Sequence, residues 1–471
     1  MENLGKHLQG GLAFTENDVG SHITDCFRPI AQEVSMKGAN TVQIRPVSMS
    51  QTGPWDFQIL QKGEQYIQAN HTRCYMKLQI KNVNGNDITE AEGVGICNML
   101  PNSLIKTIEI EVGGKPIPEL QNTHANYKSY LETLLSYDDE AKQGHLNLSM
   151  YRTDTAGHFD DVTYCGNVKD YDTENLGLRY RRKMIPQSDK FEVMFPLHCD
   201  FLNSERLLPP GIDLTIKLTR ESDDFVLMVP SQTFTATAAT GSTAASKTAA
   251  VANTKKYKIH IEDLKLYVRY VTVADNIFSN HRTKIQSSPM LLPIKKTEFL
   301  THNAGQNTTN IVLDNLFLNK VPSSLMVMMV DTESYNGKPH KNPYNFQHYK
   351  LNFLNLTLNG KHILTEPYTP DWEKKFYIKP LRDFFDNVGI RANNIGNISP
   401  ALWAAGCTIF AFDLSPDLCN GYHWHKREHG GSMCLEMRFA EGLPRGVTIL
   451  MYAVYDALVA IDKDMNVAVS M

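Results

Sequence analysis

Short apolar runs, each closed by Gly, Pro or Asn, recur along most of this chain and predict β-strands rather than helices. The stretch 310–372 shows the pattern best. Leu325-Met326-Val327-Met328-Met329-Val330 is continuously apolar, long enough for a strand covered on both faces and too short for an ordinary helix. Tyr349, Leu351 and Phe353 alternate with polar neighbours, then Leu354, Leu356 and Leu358 do so one residue out of phase, which predicts a change of face near Phe353-Leu354. Asn359-Gly360-Lys361 supplies the left-handed turn of a tight hairpin, and His362-Ile363-Leu364 begins the return.

The same grammar holds on either side. Residues 1–38 are Gly- and Asn-rich with weak periodicity and read as an arm. Strands are expected at 39–47, at 65–83 (Cys74, Met76, Leu78 and Ile80 on one face) and at 104–112, where Gly113-Gly114-Lys115 makes a hairpin turn. In 122–136 the period changes. Tyr127, Tyr130, Leu131, Leu134 and Leu135 form one apolar stripe of a helix, with Asn122 or Thr123 placed to cap it. A long polar, aromatic-rich excursion over 138–183 precedes strands at 191–195, 212–218, 225–229 and 257–273. The Ala/Thr/Ser-rich run 231–254 can bury little and is expected to be a surface loop. After a polar segment from 274, Met290-Leu291-Leu292-Pro293 leads to strands resuming at Thr297, and the last strong ones are 410–414, 432–439, 447–455 and 458–461. Residues 108–115 (IEIEVGGK) and 354–361 (LNLTLNGK) echo one another, although chance often produces such a pair. The fold class expected is all-β: two jelly-roll sandwiches in tandem, 39–273 and 274–471, behind the 1–38 arm.

Length and composition agree. A chain of 471 residues exceeds the roughly 250–300 at which single cores stop growing, so two domains are the default. Net charge is −4, which argues against a surface built to neutralise nucleic acid. The basic run Arg179-Tyr180-Arg181-Arg182-Lys183 reads as solvated loop charge. The eight cysteines are scattered with no CxxC pair and read as separate, reduced thiols. The first residues lack the apolar core of a signal peptide, and no run of about 18 apolar residues occurs, so synthesis in cytosol or nucleus is expected. The glycosylation sequon at Asn355 falls in an expected buried strand.

Candidate chemistry is sparse. Neither HExxH nor GxSxG occurs, and the Gly-Lys pairs lack the rest of a phosphate loop. Cys419, His423, His425, His429 and Cys434 are zinc-ligand types without zinc-site spacing. Asp138-Asp139-Glu140 and Asp160-Asp161 lack the Gly-anchored calcium pattern and read as turns. No catalytic residue, cofactor or metal site is expected.

Several longer stretches carry a resemblance. They are the 127–137 helix (YKSYLETLLSY), 151–157 (YRTDTAG), 207–214 (LLPPGIDL), Asp314-Asn315-Leu316-Phe317, Val321-Pro322, Asn336-Gly337, Asn342-Pro343-Tyr344-Asn345-Phe346 and 412–417 (FDLSPD). In that order the chain resembles the double jelly-roll major capsid proteins of polinton- and adintovirus-like double-stranded DNA elements, related to the adenovirus hexon. The 231–254 insert is outside that pattern. The resemblance implies a homotrimeric capsomer of pseudo-sixfold outline, self-assembly into an icosahedral shell, and penton and minor capsid proteins as partners. It further implies a virion location after synthesis in the host cytoplasm, with assembly there or in the nucleus, and no enzymatic activity. Leu8-Gln9-Gly10-Gly11-Leu12 is similar to sites cut by adenovirus-type maturation proteases, which makes Gly10, Gly11 and Leu12 a candidate cleavage site; a plain glycine pair in an arm is the preferred reading. Pro343 holds Asn342 extended, and the aromatics beside it can pin that excursion onto the sandwich. Two other readings stand beside this one. A β-sandwich carbohydrate-binding protein would display aromatics such as Trp403, Tyr422 and Trp424, though it lacks the paired acids of a glycosidase. A penton or spike would need only one jelly roll.

Overall fold

The computed structural model describes residues 35–89, 92–163, 174–185, 188–233, 236–237, 246–247, 251–253, 255–388, 398–415, 430–464 and 466–470. Its first sandwich is built from β1 (Met36–Ile44), β2 (Trp55–Ile59), β3 (Tyr66–Asn82), β4 (Ile105–Val112), β5 (Lys115–Pro116), β6 (Phe191–Pro196), β7 (Leu214–Arg220) and β8 (Tyr257–Val273). The second is built from β9 (Met290–Ala304), β10 (Asn310–Leu313), β11 (Ser324–Asp331), β12 (Leu351–Leu358), β13 (Lys361–His362), β14 (Ile409–Asp413), β15 (Met433–Phe439) and β16 (Val447–Ile461). Sheet order in the first is β1-β8-β3-β6 and β2-β7-β4-β5; in the second it is β9-β16-β11-β14 and β10-β15-β12-β13. Adding eight to each strand of the first gives the second. This is the jelly roll twice over, all pairs antiparallel. A short β17 (Val467–Ser470) pairs with the end of β16.

The echo noticed between 108–115 and 354–361 falls on β4–β5 and on β12–β13, the fourth and fifth strands of each sandwich. Both hairpins turn on two left-handed residues, Gly113-Gly114 (φ 57° and 74°) and Asn359-Gly360 (φ 51° and 75°), as a two-residue turn between twisted strands requires. The expected change of face in β12 is a bulge: the register against β15 slips between Leu351 and Phe353, so Leu351, Leu354 and Leu356 are all buried. β11 is buried along its whole length, as its unbroken apolar run requires.

Four helices differ from or add to the sequence reading. α1 runs Ala125–Ser136, and His124 stands at its N-cap without a side-chain bond to the helix's N–H groups. Asn122, expected as a cap, is instead buried and tied to other residues described below. α2 (Leu176–Met184) contains the basic run that was read as loop. Asn175 caps it, its side chain accepting from Leu178 N at 3.2 Å. α3 (Asp275–Ile285) occupies the polar segment after β8. α4 (Ile378–Asn387) buries Pro380, Leu381 and Phe384 and packs on β14. β9 already starts at Met290 and includes Pro293, which an edge strand tolerates because the missing N–H has no partner to lose. The expected strand at 225–229 is a turn of helix (Asp223–Val226) and two extended residues.

Candidate functional site: the seam between the sandwiches

α1 lies between the two sandwiches and is buried nearly all round. Tyr127, Tyr130, Leu131, Leu134 and Leu135 are covered, as the stripe requires, but so are Asn126, Lys128, Ser129 and Thr133 on the polar side. A surface helix would leave that side wet. Here Lys128 reaches Thr297 of the second half, Asn126 bonds Glu221 and Ser129 bonds the carbonyl of Ala125.

Aromatic rings make the centre of the seam. Tyr130 of α1 stacks on Tyr344 with centroids 4.1 Å apart and planes 8° from parallel. Tyr127 meets Tyr344 edge-on at 5.6 Å and stacks on Tyr335 at 5.9 Å, and Phe225 meets Tyr344 edge-on at 6.2 Å. Each such pair adds about 0.5–1.5 kcal/mol beyond the apolar area it hides. The Tyr344 hydroxyl is 2.6 Å from Ser103 Oγ, so its polar end is satisfied where the ring is fully buried. The Asn342–Phe346 stretch is pinned to its own sandwich, Phe346 N donating to Gly406 O at 2.8 Å and Phe346 O accepting from Thr408 N at 3.0 Å, and through Tyr344 it also pins the second sandwich onto the first. A histidine-aromatic contact lies beside it, where His124 Nε2 is 3.0 Å from Tyr335 Oη and its ring lies 5.1 Å from that of Phe299. Burial, with Lys106 adding to it, pushes the His124 pKa down to about 4.

Two polar networks flank the rings. In one, Arg181 of α2 pairs with Asp154 at 2.8 Å, both side chains 0 % exposed. Arg181 also donates to the carbonyls of Ile96 (3.0 Å) and Arg152 (2.8 Å). Asp154 accepts in turn from Asn342 Nδ2 at 3.1 Å across the seam. Asp160 extends the bridge, accepting from Asn342 N at 2.7 Å and Asn345 Nδ2 at 2.8 Å. In the other network Lys128 is buried against Asp200 and lies 3.3 Å from Glu132. Asp200 accepts from Asn122 Nδ2 at 2.8 Å and, across the seam, from Thr297 N at 2.9 Å. His198 Nδ1 sits 2.6 Å from the other Glu132 oxygen. Burial opposes the Glu132 charge, but Lys128 and His198 outweigh it and hold the carboxyl down at about 2. Backbone bonds close the rim, Gly157 N to Ala405 O and Val229 N to Pro339 O, each 2.6 Å.

The geometry is that of a glued interface. The cysteines nearest to it, Cys97, Cys199 and Cys407, are buried and free, with burial pushing their thiols up to about 12, 11 and 12. Among the described residues no three His, Cys, Asp or Glu side chains gather to hold a metal. Cys434 lies on β15, while Cys419, His423, His425 and His429 fall outside the described residues, as do Gly10, Gly11 and Leu12. Asp138 caps a helical turn, accepting from Ala141 N at 2.8 Å. Trp403, proposed as an exposed sugar platform, is 0 % exposed and packed against Trp372 and Phe410; Tyr422 and Trp424 lie outside the described residues. Sequence reasoning missed Arg181. A basic run reads as solvent-facing, and only its register on α2 turns one of its arginines inward to Asp154. The available signal was Asn175, a cap type ahead of Leu178.

No family model matches the chain. An uncharacterized protein of Caenorhabditis elegans is 20% identical over 428 residues, covering 88% of this chain and 92% of that protein. Among solved structures, the Sputnik virophage at 3.5 Å resolution matches with TM-score 0.59 and 13% identity, over 96% of this chain and 92% of that one. The Faustovirus major capsid protein matches with TM-score 0.58 and 11% identity, over 97% and 96%. The mavirus major capsid protein matches with TM-score 0.53 and 12% identity, over 98% and 95%. Together with the repeated strand order, these matches show the fold of this chain to be a double jelly roll.

Proposed function

We propose that this chain is a major capsid protein, a building block that associates with copies of itself into a shell. The observation that carries the reading is the seam: two sandwiches of identical topology are locked into one rigid block by stacked rings and buried ion pairs. A shell subunit needs such a block, with large surfaces left for its neighbours and no reactive centre. The likeness to viral capsid proteins over nearly the whole chain supports it. Two jelly rolls per subunit give three subunits a pseudo-sixfold outline, so a homotrimer is the expected capsomer, with neighbouring capsomers, penton and minor capsid proteins as partners. A polinton- or adintovirus-like element is the expected source, and the virion the expected location. The chain is read as non-enzymatic. No helix among the described residues is long and apolar enough to cross a membrane. Cleavage at Gly10-Gly11-Leu12 by a maturation protease belongs to the same reading, and intact-mass analysis of assembled particles tests it: a chain still beginning at Met1 or Glu2 removes that step.

Light scattering and negative-stain microscopy of the purified chain test the main reading. A mass near three times 53.2 kDa, with six-sided particles that assemble further, is expected. Monomers that stay monomeric across concentration, salt and pH count against it.

A further inference from the structure

A large apolar groove lies away from the seam, where the chain passes from one sandwich to the other. It has a volume of about 660 Å³ and is floored by Val273, Met290, Leu291 and Leu292. α3 forms one wall, turning Ile277, His281 and Ile285 toward it at i, i+4 and i+8. None of the eleven residues of α3 is buried. A helix this short is marginal in water on its own and takes its stability from a covered face. His281 is tied to Tyr66 Oη at 2.9 Å, and the apolar positions on either side of it, Ile277 and Ile285, are only half-buried.

What lies next to this face is the start of the chain. Ser35 and Met36, the first described residues, line the groove, and Met36 is 46% exposed. Within the otherwise weakly periodic 1–34 segment, Val19, Ile23, Cys26 and Phe27 recur at i, i+4, i+7 and i+8, the spacing of an amphipathic turn. Charge agrees as well. The groove presents Arg206, His281 and Lys284, and none of the described residues that line it is acidic. Residues 1–34 carry Glu2, Glu16, Asp18, Asp25 and Glu33 against Lys6 and Arg28. Phe27 is eight residues before Ser35, a link that reaches at most about 28 Å when extended.

We propose that the Val19–Phe27 segment of the same chain docks in this groove and covers the apolar face of α3. The segment is thereby an internal clamp on the connection between the sandwiches, and it does not depend on the shell reading. Cys26 supplies the probe. In the full-length Ser288→Cys variant, mild oxidation is expected to link Cys26 to the introduced thiol within one chain, seen by peptide mapping of the monomer band. Adding Ile277→Asp on α3 or Phe27→Asp in the segment should cut that link at least fivefold. In parallel, a chain beginning at Ser35 should bind an apolar fluorescent dye that the full chain excludes. Three results overturn the proposal: a link that forms only between two chains, a lipid that co-purifies in the groove by native mass spectrometry, or equal dye binding by both chains with no link at all.

Discussion

Arg181 is the residue whose surroundings leave it least choice. Its guanidinium is 0 % exposed, paired with Asp154 and bonded to two carbonyls. Removing one member of a buried pair leaves the other charged and unpaired, which costs roughly 3–5 kcal/mol. Arg181→Met is therefore expected to lower the free energy of unfolding by that much, read as a lower denaturant midpoint at unchanged slope, whereas Arg181→Met with Asp154→Leu should recover part of the loss. An unchanged midpoint in the single variant would show that the pair is not closed in solution. Tyr344 separates ring from hydroxyl. Tyr344→Phe forfeits one hydrogen bond, about 1 kcal/mol, and Tyr344→Ala empties the centre of the seam at about 3–5 kcal/mol. Gly406 admits no side chain, because its φ is +149° and a Cβ there would run into the Phe159 ring.

At the scale of elements, hairpins and α1 behave differently. The β12–β13 turn needs φ of +51° at Asn359 and +75° at Gly360. Gly360→Ala forces an L-residue into that region at about 1–2 kcal/mol, read as a loss of stability in urea titration with unchanged slope. Asn359 does more than turn, since its Oδ1 accepts from Ser432 N at 2.9 Å. The sequence made both hairpins legible through Gly-Gly and Asn-Gly, since a tight turn is a local event decided by two residues. It made α1 legible as a helix but not as a buried one. Lys128, Ser129 and Thr133 are polar, and polarity along one helix face ordinarily means water. Lys128 instead meets Asp200 and, from the second sandwich, Thr297, and Ser129 donates to Ala125 O one turn back in its own helix. α2 was hidden for a related reason: its apolar content is low, and it reaches the core through Leu178 and a paired arginine.

For the whole molecule, the seam sets the response to acid. His124 is held neutral, with a pKa near 4 because burial and Lys106 disfavour its charge. A depressed pKa means that the unfolded chain takes up the proton first. The contribution of His124 is then complete above about pH 6.5 and is lost as pH falls toward 4, at most about 3 kcal/mol at 1.36 kcal/mol per unit. His348, also pushed down to about 4 by burial and Lys350, adds a loss in the same window. Glu132 gives way only lower, between its ordinary range and about 2. Melting temperature is expected to fall between pH 6.5 and 4, and His124→Gln, which keeps a hydrogen bond within reach of Tyr335, should flatten that fall. A slope identical to that of the unaltered chain would exclude His124 as its source.

The sequence by itself determined what local patterns can carry. Period-two alternation gave the strands, Gly and Asn gave the turns, and an unbroken six-residue apolar run gave β11. Two sandwiches followed from length and from the repetition of that grammar. Only the tertiary structure decided the strand order β1-β8-β3-β6 and its copy eight strands on, because which strands pair depends on contacts between residues far apart in sequence. It alone decided that Tyr130 lies on Tyr344, that Asp154 serves both Arg181 and Asn342, and that Trp403 is packed inside. Tyr, Asp, Arg and Trp are equally at home in water or in a satisfied interior. Their place is settled by the partners that the fold brings to them: Tyr130 and Asp154 meet residues of the other half of the chain, whereas Trp403 is closed in by Trp372 and Phe410 of its own half.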